Sequence, residues 1–159
     1  NGRGEGIWNP DGTPTKALER AIDKGVILDV GHGGSSFDFE VYQKAVRHLD
    51  VPYIVSSDIH KSSLYEGAVS MDRVMSKLYN MGMSLESLMH SVTSYPAQAI
   101  GLDGWCDMDN INNATLFSIV DQTIEYKDTN PKSQAFHKAI KPEAVILNGT
   151  LKEIPIESR

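Results

Sequence analysis

Val26-Ile27-Leu28-Asp29-Val30-Gly31-His32-Gly33-Gly34 and, downstream, Val51-Pro52-Tyr53-Ile54-Val55-Ser56-Ser57-Asp58-Ile59-His60 are the two stretches whose reading decides the fold. Each is a short apolar run that ends in small residues followed by a side chain able to hold a metal or a proton. Between them, residues 37–49 carry apolar side chains at 37, 41, 45 and 49 and again at 42 and 46, a spacing that predicts a helix. Strand, helix, strand in that order predicts parallel α/β architecture. Such strands are apolar because both faces are buried, and functional groups sit just past their C-terminal ends. His32 and Asp58 both occupy that place. Asp29 falls inside the first apolar run, where a carboxylate needs a partner.

Composition bounds the class. The chain has 159 residues, 40% hydrophobic and 23% charged, with a formal net charge of −6. A mildly acidic chain without a basic run offers no electrostatic footprint for nucleic acid or an anionic membrane. Cys106 is the single cysteine, so no internal disulfide can form and a reducing, cytoplasmic setting is expected. No apolar stretch approaches the roughly 20 residues of a membrane helix, and there is no signal-peptide pattern. A complete (β/α)8 barrel takes about 250 residues, so this length can hold only part of one.

Outward from the two strands, residues 1–13 are glycine-rich and contain an Asn9-Pro10-Asp11-Gly12 turn. A helix is predicted from Pro14 to Lys24, capped by Thr13 and stopped by Gly25. Residues 61–67 read as a polar loop. Apolar positions 68, 71, 74, 75, 78 and 81 predict a helix ending at Gly82. A further helix starts at the cap Ser84, is interrupted by Pro96, and is followed by a short one over 97–100. Met71, Met75, Met81, Met83 and Met89 fall at helical spacing and read as core filler. Beyond residue 102 the pattern turns to strands: 114–120, 123–126, then a polar loop over 127–137. A hairpin over 144–156 is expected to turn at Asn148-Gly149.

Histidine nitrogen and carboxylate oxygen are the donors of zinc-type sites. On residue types alone, His32 between glycines suits a ligand, and equally suits a tight turn with a surface imidazole. Asp58 suits a ligand or proton carrier, and equally a helix cap beside Ser57. His60 would share Asp58's side if the strand ran on. His48, His90 and His137 read as structural or exposed.

The segments "ILDVGHGGSSFDF" (27–39), "SSDIH" (56–60), "MSKLYNMGMSLESLMHSVTSYPAQAIGL" (75–102) and "PEAVILNG" (142–149) together resemble the C-terminal half of an amidohydrolase-superfamily metallohydrolase of the dihydroorotase-like amidohydrolase/deacetylase branch. The resemblance implies the C-terminal portion of a (β/α)8 barrel over residues 1–102, followed over 103–159 by part of a small flanking β-sandwich. It implies a hydrolase of an amide or ester bond in a small-molecule substrate, of deacetylase or cyclic-amidase type, with a divalent metal, zinc, in a binuclear site of the complete enzyme. His32 and Asp58 would hold metal, Asp58 would also shuttle the proton, and His60 would touch substrate. In the family the histidine and aspartate ligands lie on the sixth and eighth barrel strands, yet no clear strand separates His32 from Asp58. The paired histidines of the first strand, the bridging modified lysine and an earlier histidine fall outside this chain, and Asn112-Asn113-Ala114 departs from the relatives' Ala-Asp pattern. The isolated chain is therefore expected to be inactive and to associate. A ring deaminase of the same superfamily, or a non-catalytic truncated α/β binding domain, are the alternative readings.

Overall fold

A computed structural model describes residues 6–32, 37–48, 51–61, 70–106, 112–127 and 133–154. The first helix, α1 (Lys16–Asp23), is capped by Thr15, whose hydroxyl accepts from the Leu18 amide at 3.4 Å. Thr13, the expected cap, is used elsewhere: its amide and hydroxyl both donate to Asp11 Oδ1, at 2.9 and 2.7 Å, closing the preceding turn.

Strand β1 (Leu28–Gly31), helix α2 (Phe39–His48) and strand β2 (Tyr53–Ser56) form the expected unit. The two strands pair in parallel, Leu28 with Tyr53 through Gly31 with Ser56. They are direct hydrogen-bonded neighbours, so no strand lies between them in the sheet. Among the described residues this is a single two-stranded parallel sheet and not a closed barrel. Val26 and Ile27, expected in the first strand, precede it and are about half exposed, at 53% and 49%.

Helix α3 (Met71–Asn80) follows, then α4 (Leu85–Val92) under its Ser84 cap and α5 (Ser94–Ala99). The break between α4 and α5 falls at Thr93, whose backbone leaves helical geometry at φ −128°, ψ −82°. Pro96 sits in the first turn of α5, where its missing N–H has no helical partner to lose.

The C-terminal region is an antiparallel sheet in the order β3-β4-β5, with β3 Asn113–Lys127, β4 Ser133–Leu147 and β5 Thr150–Glu153. The two strands expected over 114–126 are one, with an irregularity between Asp121 and Ile124 where the gap was placed. Residues 133–137, expected as loop, are strand, because a half-solvated antiparallel sheet accepts polar residues on its wet face while Phe136 and Ile140 go inward. The Asn130-Pro131 signal lies outside the described residues. The β4–β5 hairpin turns at Asn148-Gly149, both at positive φ (50° and 73°), as a two-residue hairpin of the favoured twist requires.

One apolar cluster runs through both regions and includes Phe37, Phe39, Val55, Val74, Leu78, Leu88, Tyr126, Phe136 and Ile140. Helix α3 is its hinge-pin, because its side chains finish the edge of β4 where β5 stops. Ser76 Oγ accepts the Ile140 amide at 2.8 Å, and four residues on, Asn80 gives Nδ2 to the Lys138 carbonyl at 2.7 Å and takes the Lys138 amide at 3.1 Å. A spacing of four puts both side chains on one helix face, so α3 stands in for a strand along an edge that would otherwise be open. Ser76 is 1% exposed. Ser76→Ala should therefore strand a buried amide and cost about 1–3 kcal/mol. Urea unfolding with an unchanged slope and a lowered midpoint would show it.

Candidate functional site

The C-terminal ends of β1 and β2 lie side by side, Gly31 opposite Ser56. Side chains alternate along strands, so residues 29 and 31 face one side of the sheet with their partners 54 and 56, while 28 and 30 face the other with 53 and 55. Val55 belongs to the apolar cluster and Val30 packs against it. Asp29 therefore lies on the opposite face, and its partner is Ser56, whose hydroxyl donates to Asp29 Oδ2 at 2.7 Å. The strand carboxylate that needed a partner has one on the neighbouring strand.

Asp58 lies on this same face. A Cβ added to Gly31 would stand 3.1 Å from Asp58 Cβ and 3.3 Å from its Oδ2, so the aspartate occupies the space a side chain at 31 would fill. Gly31 is thus required by close approach. Asp58 is exposed and its backbone is left-handed, φ 47°. For a residue other than glycine that conformation carries strain, which persists where the surroundings over-determine it and which clusters at functional sites.

His32 is placed differently. It is 5% exposed and its ring stacks on Phe37, centroids 4.4 Å apart and planes 18° from parallel. Phe37 in turn lies beneath the Lys77 ammonium at 3.7 Å and belongs to the apolar cluster. One face of the imidazole is therefore packed against the apolar cluster through Phe37. The structure brings the two strand ends together, and the Asp58 charge is close enough to favour a protonated His32 ring.

The state of the ring follows from its partners. Nδ1 lies 3.1 Å from the Val30 carbonyl and 3.3 Å from the Ser56 carbonyl, and carbonyls only accept, so Nδ1 carries the proton and donates to both. Burial, then the Lys77 charge, holds the imidazole pKa well below its usual value, at about 3. The ring is neutral at pH 7, with a lone pair on Nε2. Nε2 is buried without a hydrogen-bond partner among the described residues. That lone pair, on a ring whose other nitrogen is held by backbone carbonyls, is the arrangement that suits a metal ligand.

His60 is exposed, two residues past Asp58. Among the described residues no three His, Cys, Asp or Glu side chains converge as a metal site. Asp58 fits a metal by its chemistry and position as one donor of a larger set. A cleft of about 470 Å³ lies elsewhere: its lining includes Pro52 and Tyr53 at the start of β2, with Tyr42, Met83, Ser87 and Tyr95. It sits at the wrong end of the strands for parallel α/β chemistry. Lys77 is the residue the sequence reading passed over. It falls on the buried stripe of α3 between Val74 and Leu78 and is 3% exposed, a position where a lysine stands out.

No family model matches the chain. Among curated proteins it is 31% identical over 131 residues to "Deacetylase Atu3266" of Agrobacterium fabrum, covering 81% of this chain and 32% of that protein. It is 30% identical over 131 residues to a deacetylase of Brucella anthropi, covering 81% and 33%. A deacetylase of Enterococcus faecalis is 28% identical over 155 residues, covering 95% and 42%. The chain thus spans about a third of the length of the first two relatives it matches. Its fold is similar to a crystal structure of an adenine deaminase, with a TM-score of 0.78 at 24% identity over 95% of this chain and 43% of that one. A crystal structure of a dihydroorotase gives 0.73 at 27% identity over 87% and 38%.

Proposed function

We infer, from a chain that is a relative of amidohydrolase-superfamily proteins and matches their C-terminal part, that it belongs to a metal-dependent hydrolase that cleaves an amide or ester bond of a small molecule, of deacetylase type. The observation that carries this is Asp58, a strained carboxylate at the C-terminal end of a parallel strand, seated in a recess that only a glycine at 31 leaves open. Kinship with proteins named deacetylases supports the reaction class. Of the described residues, we assign Asp58 and His32, through its unpartnered Nε2, as metal ligands. The other donors would come from the length that the relatives have and this chain does not. A bound divalent ion, zinc being the first to test, would polarise the carbonyl under attack and bring the pKa of water to about 7.

The chain's own contribution is proton transfer. Asp58 takes the proton of the attacking water and returns it to the leaving nitrogen or oxygen, so one carboxylate serves as base and then as acid. His60, exposed two residues past Asp58, would contact substrate.

The test is hydrolysis of N-acetyl and O-acetyl acids by the complete protein before and after chelation. We expect acetate release that chelation abolishes and added zinc restores. Activity untouched by chelation sinks the metal reading, and ammonia release from a purine without acetate release moves the protein to the ring deaminases.

A further inference from the structure

Helix α2 begins just after an aromatic ring that also touches the site. Asp38 caps the helix: its Oδ1 accepts the Val41 amide at 2.9 Å, and its carbonyl accepts the Tyr42 amide at 3.0 Å. Phe37, the residue before the cap, lies against Tyr42 with ring centroids 5.4 Å apart. Apolar contact between those two positions is a hydrophobic staple, which fixes the angle at which the chain enters a helix. Phe39 meets the same ring edge-on at 5.7 Å, and from α3 the Lys77 ammonium stands 3.7 Å from its centroid. The Phe37 ring, 6% exposed, is thus held by side chains of two helices. The His32 imidazole stacks on that ring at 4.4 Å.

His32 has two kinds of support, and they do different things. The bonds from Nδ1 to the Val30 and Ser56 carbonyls, at 3.1 and 3.3 Å, decide which nitrogen faces the backbone and so leave the lone pair on Nε2. A proton shared between two acceptors still lets the ring tilt between them. A flat stack opposes that tilt. The Nε2 lone pair lies in the plane of the imidazole, so the surface that fixes the plane also fixes where an ion can sit.

We propose that Phe37 is a positioning residue for the metal centre: stapled to Tyr42 at the start of α2, it sets the plane of the His32 ring and thereby aims Nε2 at the ion. The proposal rests on the reading of His32 as a ligand. In it, the start of a helix and a metal ligand share one aromatic ring, so retention of the ion depends on order at the N-terminus of α2.

The test uses the complete protein and reads the ion itself. Phe37→Leu keeps an apolar side chain and removes the flat face; it should raise the zinc Kd, measured against a competing chelator, by about 10- to 100-fold, as loss of an outer support of a ligand does. With cobalt in place of zinc, the visible absorption per bound ion should change as well, because the direction of one donor has changed. A zinc Kd and cobalt spectrum equal to wild type overturn the proposal. A raised Kd with an unaltered cobalt spectrum also overturns it, since the loss is then one of stability and not of ligand geometry. If the variant does not fold, histidine-labelled wild type decides: the His32 ring protons, shifted upfield by the Phe37 ring, should keep that shift when zinc is added, and its loss on zinc loading overturns the stack as a support. His32→Ala run alongside separates the levels. Full zinc affinity in that variant removes the ligand reading and this proposal with it, whereas a zinc equivalent lost in His32→Ala and fully kept in Phe37→Leu overturns the proposal alone.

Discussion

Asp58→Asn in the complete protein should lower turnover by at least about 100-fold, the low end of what loss of a general base costs, with the thermal midpoint little changed. The substitution keeps size and shape and removes the charge. Asparagine also tolerates the left-handed backbone better than most residues, so the strained φ of 47° need not relax and the Gly31 recess stays filled. What disappears is the ability to take a proton from water and return it. Steady-state kinetics with zinc content measured on the same sample would show the effect, and a variant with near-normal kcat would remove Asp58 from the mechanism.

The second large effect is on stability in acid. His32 has a pKa of about 3 in the folded chain against 6.5 for the free side chain, because burial first and the Lys77 charge second oppose its protonation. The bonds to the Val30 and Ser56 carbonyls and the Asp58 charge favour the charged ring and are outweighed. The sign follows. Above the unfolded value of about 6.5 neither state binds the proton and the group is neutral to stability. As pH falls below it, the unfolded chain takes up a proton that the folded chain refuses, so stability drops progressively until the folded ring titrates near pH 3. The full loss is on the order of 5 kcal/mol. Urea unfolding of the wild type and of His32→Asn between pH 7 and 4 should give curves that diverge, the wild type falling more steeply. Parallel curves would mean that His32 is protonated in the fold.

The parts of this fold that could be read from the sequence are those set by short-range periodicity. The strand, helix, strand unit came from apolar runs and a helical stripe, and the Asn148-Gly149 turn came from residues that accept positive φ. Failures have separate causes. Thr13 looked like a cap but was already bonded to Asp11, a competition among local partners that a sequence window does not rank. Residues 133–137 looked like a loop because strands with one wet face carry polar residues freely. At the site, position past a strand end was legible for both His32 and Asp58, but the surroundings of each were not. Which face is the buried one depends on packing against α2 and α3, whose buried lysine no apolar pattern would include. Asp58's left-handed backbone, which turns its side chain over Gly31, has no sequence signature at all.

The α3 contact to the edge of β4 has a further use as an internal clock. The Ile140 amide is bonded to the Ser76 hydroxyl rather than to a strand partner, so its deuterium uptake reports separation of helix from sheet, whereas ladder amides report the sheet itself. Where reclosing outruns exchange, the protection factor at Ile140 is the free energy of that one opening. A ligand at the strand ends that slows uptake at Ile140 while leaving the β3–β4 ladder unchanged would reveal that occupancy of the site is felt at the far side of α3.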